Sequence, residues 1–178
     1  GRLNTQDQGE ILILFQQEDG SYLQKTHIID GIPSWIEVGD MNNDNQNDIF
    51  VGNNGILVIR PPDFIGQTDG GINPFLNIGN KNFIPTTPQL VEGALVHFNY
   101  WDYNGDSYRD AIGLNQGIVG FDFTGTPVIE DPKIEIFEGG PTGIQFMENK
   151  SIRLNYKPWS IDHADFDGDG MDDIAVAT

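Results

Sequence analysis

Three short acidic segments constrain the fold of this chain more than any other feature of its sequence. Each is nine residues long, begins and ends with Asp, and has Asp or Asn at position 3 and Asp at position 5. Their first residues are Asp40, Asp102 and Asp165, so the two intervals differ by a single residue, and we call the interval from Asp40 to Asp102 one repeat. Chance does not produce three such segments in one phase, so the repeat comes before every other inference. The candidate ligand positions are Asp40, Asn42, Asp44, Gln46 and Asp48 in loop 1, Asp102, Asn104, Asp106, Tyr108 and Asp110 in loop 2, and Asp165, Asp167, Asp169, Met171 and Asp173 in loop 3.

This spacing predicts a metal site in each loop. Side chains at positions 1, 3 and 5 can converge on one point, position 7 supplies a backbone carbonyl, and position 9 closes the site. Clustered carboxylates repel one another unless a cation lies between them, and Ca²⁺ prefers oxygen ligands of this kind. We therefore expect up to three Ca²⁺ ions. The alternative is a set of solvated turns, because Asp and Asn favour turns on their own.

The loops share only their opening with the EF-hand. That motif requires Glu at position 12 and a helix after the loop, but position 12 is Val51, Gly113 or Val176 here. The flanking residues instead alternate with the period of a strand, as Ile36 and Val38 do before loop 1. Each loop is therefore predicted to join two antiparallel strands.

An Asp-rich loop of this form between two strands, recurring about every sixty residues, resembles the FG-GAP or VCBS repeats of integrin α-subunit-like β-propellers and of many bacterial surface proteins. The resemblance covers nearly the whole chain. It implies an all-β fold in which each repeat is one four-stranded propeller blade and the calcium loop joins the first two strands of the blade. About three blade equivalents are then present, as part of a larger propeller.

The three sites are not expected to be equal. Gly170 at position 6 of loop 3 permits a sharp turn, whereas loops 1 and 2 have Asn45 and Ser107 there. Loop 3 also has the larger number of carboxylates. Loop 3 should bind Ca²⁺ most tightly, and loop 2 least tightly because Ser tolerates a left-handed backbone less well than Asn does.

The repeat divides the chain into four parts: residues 1–34, the outer strands of a preceding blade; residues 35–94, the blade with loop 1; residues 95–158, the blade with loop 2; and residues 159–178, an inner strand pair with loop 3. In the irregular part at 61–90 we expect an outer strand near 83–84 and a projecting loop, and the alternative is a solvated insertion packed by Phe64 and Phe75. Three blade equivalents cannot close, since propellers have about four to eight blades. We expect the remaining blades of a longer chain, or another copy, to pair the terminal strands with the outer strands near residues 11–15.

Composition narrows the possible partners. Nine basic and 27 acidic residues give a formal charge of −18, which the six positive charges of three Ca²⁺ ions would bring to −12. That field disfavours nucleic acid. No run approaches the roughly 20 apolar residues of a membrane span. Since the chain has no cysteine, metal would replace cross-links as the source of added stability, which suits an extracellular or cell-surface location.

Other conspicuous side chains have simpler explanations than a binding site. Histidines in or beside inner strands are expected to be structural, and tryptophans near the loops to pack between blades rather than to stack on sugars. The histidines of this kind are His97 and His163, and the tryptophans are Trp35, Trp101 and Trp159. His27, the third histidine, could also be read as a catalytic residue or a metal ligand. The chain also lacks a nucleophile elbow, a phosphate loop and a zinc-protease motif.

The sequence thus favours a non-catalytic, calcium-binding β-propeller segment that serves cell adhesion or the binding of a glycan or an extracellular protein. The alternative is part of a polysaccharide lyase or hydrolase with a propeller fold. Some such enzymes resemble this architecture and place a base on the loops between blades, where Tyr156, Lys157 and His163 are the candidates here. A spacer without any ligand is the third possibility.

Overall fold

The computed structural model of the chain describes residues 8–178 except 56, 61–63, 68, 118, 123 and 125. This part is all-β, as predicted, and its only helical segment is the 3₁₀ turn Glu148–Lys150. No helix within these residues is long and apolar enough to cross a bilayer.

The strands, numbered in chain order, are β1 (Gln8–Gln16), β2 (Tyr22–Asp30), β3 (Pro33–Gly39), β4 (Asp48–Asn53), β5 (Leu57–Arg60), β6 (Phe64–Gln67), β7 (Gly70–Asn77), β8 (Phe83–Pro85), β9 (Gln89–Val91), β10 (Leu95–Trp101), β11 (Asp110–Asn115), β12 (Val119–Asp122), β13 (Pro127–Ile129), β14 (Lys133–Glu138), β15 (Gln145–Phe146), β16 (Ile152–Arg153), β17 (Ser160–Ala164) and β18 (Asp173–Ala177). They form antiparallel sheets, and none of the sheets in the described part closes on itself.

Two five-stranded sheets, which we call the central sheets, have the same strand order. In the first, β3 pairs with β4 and β4 with β7, and the far edge of β7 pairs with both β8 and β9. In the second, β10, β11, β14, β15 and β16 take the same places. The first strands begin at Pro33 and Leu95 and the second strands at Asp48 and Asp110, so both pairs of strands lie one repeat apart.

A two-stranded hairpin lies at each end of the described chain. β1 pairs with β2 along its whole length. Its turn is closed by Asp19, whose carboxylate accepts hydrogen bonds from the backbone N–H and the hydroxyl of Ser21. At the other end β17 pairs with β18 around loop 3.

Residues 61–90 differ from the prediction. An outer strand does include residues 83–84, but a second strand, β7, lies in the middle of the first central sheet. β7 was missed because it is buried on both faces and so lacks polar alternation. It also contains Pro74, which cannot donate to the ladder, although its carbonyl accepts the N–H of Thr86 at 2.9 Å.

The expected projecting loop is replaced by paired strands. β5 and β6 form a hairpin between the second and third strands of the first central sheet, and β12 and β13 occupy the same place in the second. The two hairpins join through β6 and β12 into one four-stranded sheet. This sheet connects the two central sheets through strands that belong to neither of them.

Most of the core lies between neighbouring sheets. Phe50 of the first central sheet packs against Tyr100 of the second with ring centroids 4.2 Å apart. On the opposite face of β10, Trp101 stacks on His163 of β17 at 4.0 Å, with the rings 3° from parallel. Strand β10 is therefore enclosed on both faces, and the sheets follow one another face to face.

Each central sheet contains one buried asparagine that bonds to the part of the chain just before that sheet. Asn53 donates from its side-chain nitrogen to the carbonyl of Asp30 at the end of β2. Asn115, one repeat later, donates in the same way to the carbonyl of Glu92 at 2.6 Å. These bonds hold successive sheets in the same relative position at both junctions.

Candidate metal centres

Each acidic loop joins the first two strands of its sheet, as the flanking alternation predicts. Loop 1 connects β3 to β4, loop 2 connects β10 to β11, and loop 3 connects β17 to β18. In every case the Asp at position 9 pairs with the residue just before position 1: Gly39 with Asp48, Trp101 with Asp110, and Ala164 with Asp173. The strand ladder thus closes each loop at its base.

The Asp at position 1 organises the loop backbone. In loop 3, Asp165 accepts N–H bonds from Gly168, Asp169 and Gly170 at 2.6, 3.2 and 2.9 Å. Equivalent bonds from positions 5 and 6 reach Asp40 in loop 1 and Asp102 in loop 2. One carboxylate therefore folds the loop around itself in all three copies.

Positions 3 and 5 add the same short-range contacts in each loop. The side-chain oxygen of Asn42 accepts the N–H of Asp44 at 3.2 Å, and Asp44 accepts the N–H of Gln46 at 2.8 Å. Loops 2 and 3 repeat both bonds. The side chains at positions 1, 3 and 5 are thereby fixed on the inside of the turn.

Position 6 has a left-handed backbone in every loop. Its φ angle is 65° at Asn45, 74° at Ser107 and 89° at Gly170. Asn45 and Ser107 therefore make the same left-handed turn as Gly170, although this backbone conformation suits them less well than it suits Gly. Of these, Ser107 has the greater conformational cost, because Asn adopts this region more readily than Ser does.

Position 4 is left-handed as well, and sequence reasoning missed it. The φ angles are 60° at Asn43, 76° at Gly105 and 81° at Gly168. The signal was present in the sequence, since all three copies have Asn or Gly there. Two left-handed residues, separated by position 5, give the loop its tight curl.

The Asp at position 9 is the most restricted acceptor in loops 1 and 2. Asp48 is fully buried, and its two carboxylate oxygens accept the N–H groups of Met41 and Asn77, both at 2.8 Å. Asp110 is equally buried and accepts from Tyr103 and Gly139 in the same way. Asn77 and Gly139 lie at the ends of the third strands, so position 9 connects the loop to the whole sheet.

Loop 3 has no such third-strand contact among the described residues. Asp173 accepts the N–H of Phe166 at 3.0 Å but is exposed to solvent. The third strand that supplies the second N–H in the central sheets has no counterpart beside β18 in the described chain.

Burial changes the acid–base behaviour of position 9. It raises the pKa of Asp48 above its usual range, more than the N–H bonds from Asn77 and Met41 lower that pKa, and the carboxylates of Asp44 and Asp40 raise it further. Burial likewise raises the pKa of Asp110, with the Asp106 carboxylate acting in the same direction. For both groups, burial disfavours the ionised form of the carboxyl.

The donor set in loop 3 fits a hard cation. Asp165, Asp167 and Asp173 each offer an oxygen, and the three oxygens lie within 4.8 Å of one another. Ca²⁺ binds oxygen at about 2.3–2.6 Å, so two ligands of one ion lie at most about 5 Å apart. Among the described residues this is the only such group of acidic or imidazole side chains. Asp169, at position 5, is not a member of this group. Loops 1 and 2 each contain three Asp whose oxygens do not come this close together, and they have an amide, Asn42 or Asn104, at position 3.

Loops 1 and 2 lie next to each other. The side-chain amide of Asn43 donates to the carbonyl of Ser107 at 3.1 Å. The Tyr100 hydroxyl, two residues before loop 2, donates to the carbonyl of Asp40 at 3.0 Å. Burial raises the pKa of Tyr100, so its hydroxyl stays protonated and remains a donor. The two candidate sites therefore share one end of the molecule.

Trp101 packs between sheets, as predicted, whereas Trp35 contacts the neighbouring sheet but is 40% exposed. His163 stacks on Trp101, and its Nδ1 lies 2.8 Å from the Asp172 carboxylate. His97 packs against Trp35 with ring centroids 3.9 Å apart. These contacts account for both histidines without a ligand.

The remaining candidates are less uniform. His27 lies edge-on to Phe75 at 5.4 Å. Trp159 is exposed, so the prediction that it packs between blades is wrong for the described chain. Tyr156 and Lys157 are exposed as well.

No protein-family model matches this sequence, and no curated protein matches it. The interpretation of the loops therefore depends on their own geometry.

Proposed function

We propose that this chain is a calcium-binding segment of a β-propeller, and that it belongs to a secreted or cell-surface protein whose role is adhesion to a glycan or to another protein. The assignment depends chiefly on one observation. Three loops with oxygen acceptors at the same positions fold with the same hydrogen bonds and join the first two strands of successive sheets.

Calcium suits these loops for a chemical reason. The side chains at positions 1, 3, 5 and 9 would hold the ion, and its charge would offset carboxylates that otherwise repel one another. The need is greatest at Asp48 and Asp110, whose ionised forms are buried. The chain's own contribution is to fix the acceptors through the left-handed turns and the strand ladder below them.

The propeller assignment is supported by strand order. The two central sheets share one order, lie one repeat apart in the sequence and stack face to face. β1 and β2 have the sequence positions of the third and outer strands, and β17 and β18 those of the first and second strands. This is the arrangement expected of successive blades, with each central sheet as one blade.

The enzymatic alternative has less support. A lyase or hydrolase needs a base that is free to reach substrate. Of the three candidate bases, His163 stacks on Trp101 and is paired with Asp172 through Nδ1, whereas Tyr156 and Lys157 are exposed. We favour a binding role without turnover because the sequence has no nucleophile elbow, phosphate loop or zinc-protease motif. The net charge of −18 disfavours polyanionic partners.

Calcium titration tests the metal assignment directly. We expect calorimetry on chelator-treated protein to show up to three Ca²⁺ ions per chain. The melting temperature should fall in excess chelator and recover when Ca²⁺ is added back, because the ion binds the folded loops and not the unfolded chain. A melting curve that is the same in chelator and in Ca²⁺ would refute the assignment.

Binding and turnover are then separated on glycans. Retention of a glycan on an array without release of unsaturated or reducing sugar ends supports the binding role. Release of such ends from a polysaccharide would support the lyase or hydrolase instead.

A further inference from the structure

Two cavities lie between successive sheets, at the end of the central sheets that is away from the acidic loops. The first has a volume of about 470 Å³ and lies between β2 and the first central sheet. The second has a volume of about 510 Å³ and lies between the two central sheets. Asn53, the last residue of β4, lines the first cavity, whereas loop 1 precedes β4. The cavities are therefore separate from the candidate metal centres.

The two cavities adjoin each other, and we call them together the groove. Asp69 and Leu90 line both cavities, so the walls of the two meet at these residues. The cavities also occupy equivalent places in successive repeats, because Ile29 lines the first and Val91, one repeat later, lines the second. An extended ligand is therefore able to occupy both cavities at once.

Each cavity has a buried polar residue of a third strand in its wall, and these two residues differ in their partners. Asn73 of β7 is 9% exposed, and Glu135, one repeat later on β14, is 2% exposed. Both carboxylate oxygens of Glu135 are bonded, one to the side-chain nitrogen of Asn115 at 2.9 Å and the other to the hydroxyl of Ser151. The side-chain nitrogen of Asn73, by contrast, has no hydrogen-bond partner within the described part of the chain.

Pro88 explains why Asn73 lacks a partner. The ladder between β7 and β9 ends one pair before Asn73, and the adjoining outer residue is Pro88, which lines the first cavity. Ser151 adjoins β16 at the equivalent place in the second central sheet. Because Pro has neither a hydroxyl nor a backbone N–H, Asn73 keeps a buried donor without an acceptor. An acceptor on a ligand would remove the cost of that unpaired donor.

The groove is acidic. Its lining includes five carboxyl side chains, those of Asp30, Asp69, Glu92, Glu135 and Glu148. The two basic residues in the lining are paired with carboxylates outside it, Lys133 with Glu130 at 4.0 Å and Arg153 with Asp131 at 2.8 Å. The groove therefore favours a ligand with positive charge.

The apolar part of the lining favours a peptide over a sugar. Sugars stack on open aromatic faces, but no Trp or Tyr of the described residues lines either cavity. The aromatic residues in the lining are Phe75, which is buried, and Phe146, which packs on Phe137 with ring centroids 5.3 Å apart. Proline and aliphatic side chains such as Pro85 and Leu90 form the rest of the apolar surface.

We propose that the groove binds an extended, basic peptide segment of a partner protein. A backbone carbonyl of the segment accepts a hydrogen bond from the Asn73 amide, and its Lys or Arg side chains pair with the acidic lining. The net charge of −18 attracts such a segment towards the protein. This inference rests on the proposed binding role and deepens it by naming a protein, rather than a glycan, as the partner.

A peptide array tests the class of partner. The whole chain in Ca²⁺ is incubated with an array of short synthetic peptides of random sequence and, in parallel, with a glycan array. The retained peptides should be enriched in Lys and Arg and depleted of Asp and Glu. Retention of neutral or acidic peptides, or retention on the glycan array alone, would overturn this inference and leave the binding role intact. Retention on neither array would contradict both.

Asn73→Leu separates a binding role of this residue from a structural one. The substitution removes an unpaired donor and puts an apolar side chain of similar shape in its place, so the melting temperature should not fall. Fluorescence polarisation with the most strongly retained peptide should show an affinity weakened about tenfold, because one buried hydrogen bond to the ligand is lost. A lower melting temperature or an unchanged affinity would overturn the role given to Asn73.

Asp69→Asn tests the groove without changing its buried wall. The substitution removes one exposed carboxylate where the two cavities meet and should weaken binding of the same peptide about two- to fivefold. Glu18→Gln, at the exposed turn between β1 and β2, is the matched control, because it changes the net charge equally and should leave the affinity unchanged. Equal losses in both variants would show that the peptide responds to overall charge and would overturn the groove assignment.

Failure of the calcium assignment gives a different result. If chelator leaves the melting temperature unchanged while the peptide binds the native chain more tightly than Asn73→Leu, the groove stands and the metal assignment fails. If Ca²⁺ raises the melting temperature of a protein that retains no basic peptide, the metal assignment stands and the groove assignment fails.

Discussion

At the residue scale, Ser107 is the clearest site of conformational cost. A left-handed backbone costs an L-residue about 1–2 kcal/mol, and Gly removes this cost. Gly also makes the unfolded chain more flexible, which lowers the free energy of unfolding by about 0.4–1 kcal/mol. Ser107→Gly should therefore stabilise the protein by about 0.5–1 kcal/mol in urea denaturation with Ca²⁺ present. Asn45→Gly is the control and should gain less, because Asn already tolerates its φ of 65°. An equal or larger gain from Asn45→Gly would contradict the strain assignment.

The buried carboxylates Asp48 and Asp110 should give calcium-free protein an unusual pH dependence. Both have a raised pKa in the folded state, so the folded chain holds these protons more tightly than the unfolded chain does. Their stabilising contribution is complete below the ordinary Asp pKa of 3.8 and is lost as the pH rises through the raised values. In chelator, the melting temperature should therefore rise as the pH is lowered through the raised pKa values of Asp48 and Asp110 towards 3.8.

Two controls test this pH profile: the addition of Ca²⁺ and the removal of the two buried carboxylates. In Ca²⁺ the trend should reverse, because protons compete with the ion for the same oxygens. Asp48→Asn/Asp110→Asn removes both titrating groups and should flatten the profile measured in chelator. If the double variant keeps the wild-type slope, the dependence comes from other groups.

At the scale of the loops, the three sites should contribute unequally. Loop 3 offers three close carboxylate oxygens and Gly at position 6, whereas loop 2 has an amide at position 3 and the strained Ser107. Asp165→Ala should therefore remove the tightest calorimetric Ca²⁺ site, and Asp102→Ala the weakest, with Asp40→Ala between them. A titration in which Asp165→Ala removes the weakest site would refute this order.

Some strands could be predicted from the sequence and others could not. Strands beside the loops were predictable because large apolar residues alternate with other residues there, as at Phe98 and Tyr100 of β10. β7 was not, since burial of both faces removes the alternation and Pro74 argues against a strand. The pairing of β6 with β12 could not be predicted from the sequence either, because it joins two hairpins that lie far apart in the chain.

Within the site, the local chemistry was predictable and the long-range contacts were not. The acceptors at positions 1, 3 and 5 and the turn at position 6 can be read from the loop sequence alone. The N–H groups of Asn77 and Gly139 that reach position 9 come from 29 residues further along. No local pattern marks them, since any residue other than Pro supplies a backbone N–H.

At the scale of the whole molecule, the proposed calcium sites and the net charge of −18 together predict that calcium affects overall stability. Three bound ions reduce the charge to −12 and do so inside the acidic loops, where the carboxylates are closest. Like charges that remain unpaired destabilise the compact state through mutual repulsion. Calcium-free protein should therefore depend on ionic strength more strongly than the calcium-bound form.

Raising NaCl from about 10 mM to 150 mM shortens the Debye length from about 30 Å to 8 Å and screens this repulsion. The melting temperature in chelator should rise across this range, and the rise in saturating Ca²⁺ should be distinctly smaller. Sucrose is the control, because it stabilises compact proteins without screening charge and should act alike in both conditions. Equal NaCl effects with and without Ca²⁺ would show that the ion does not neutralise the charges that limit the stability of this fold.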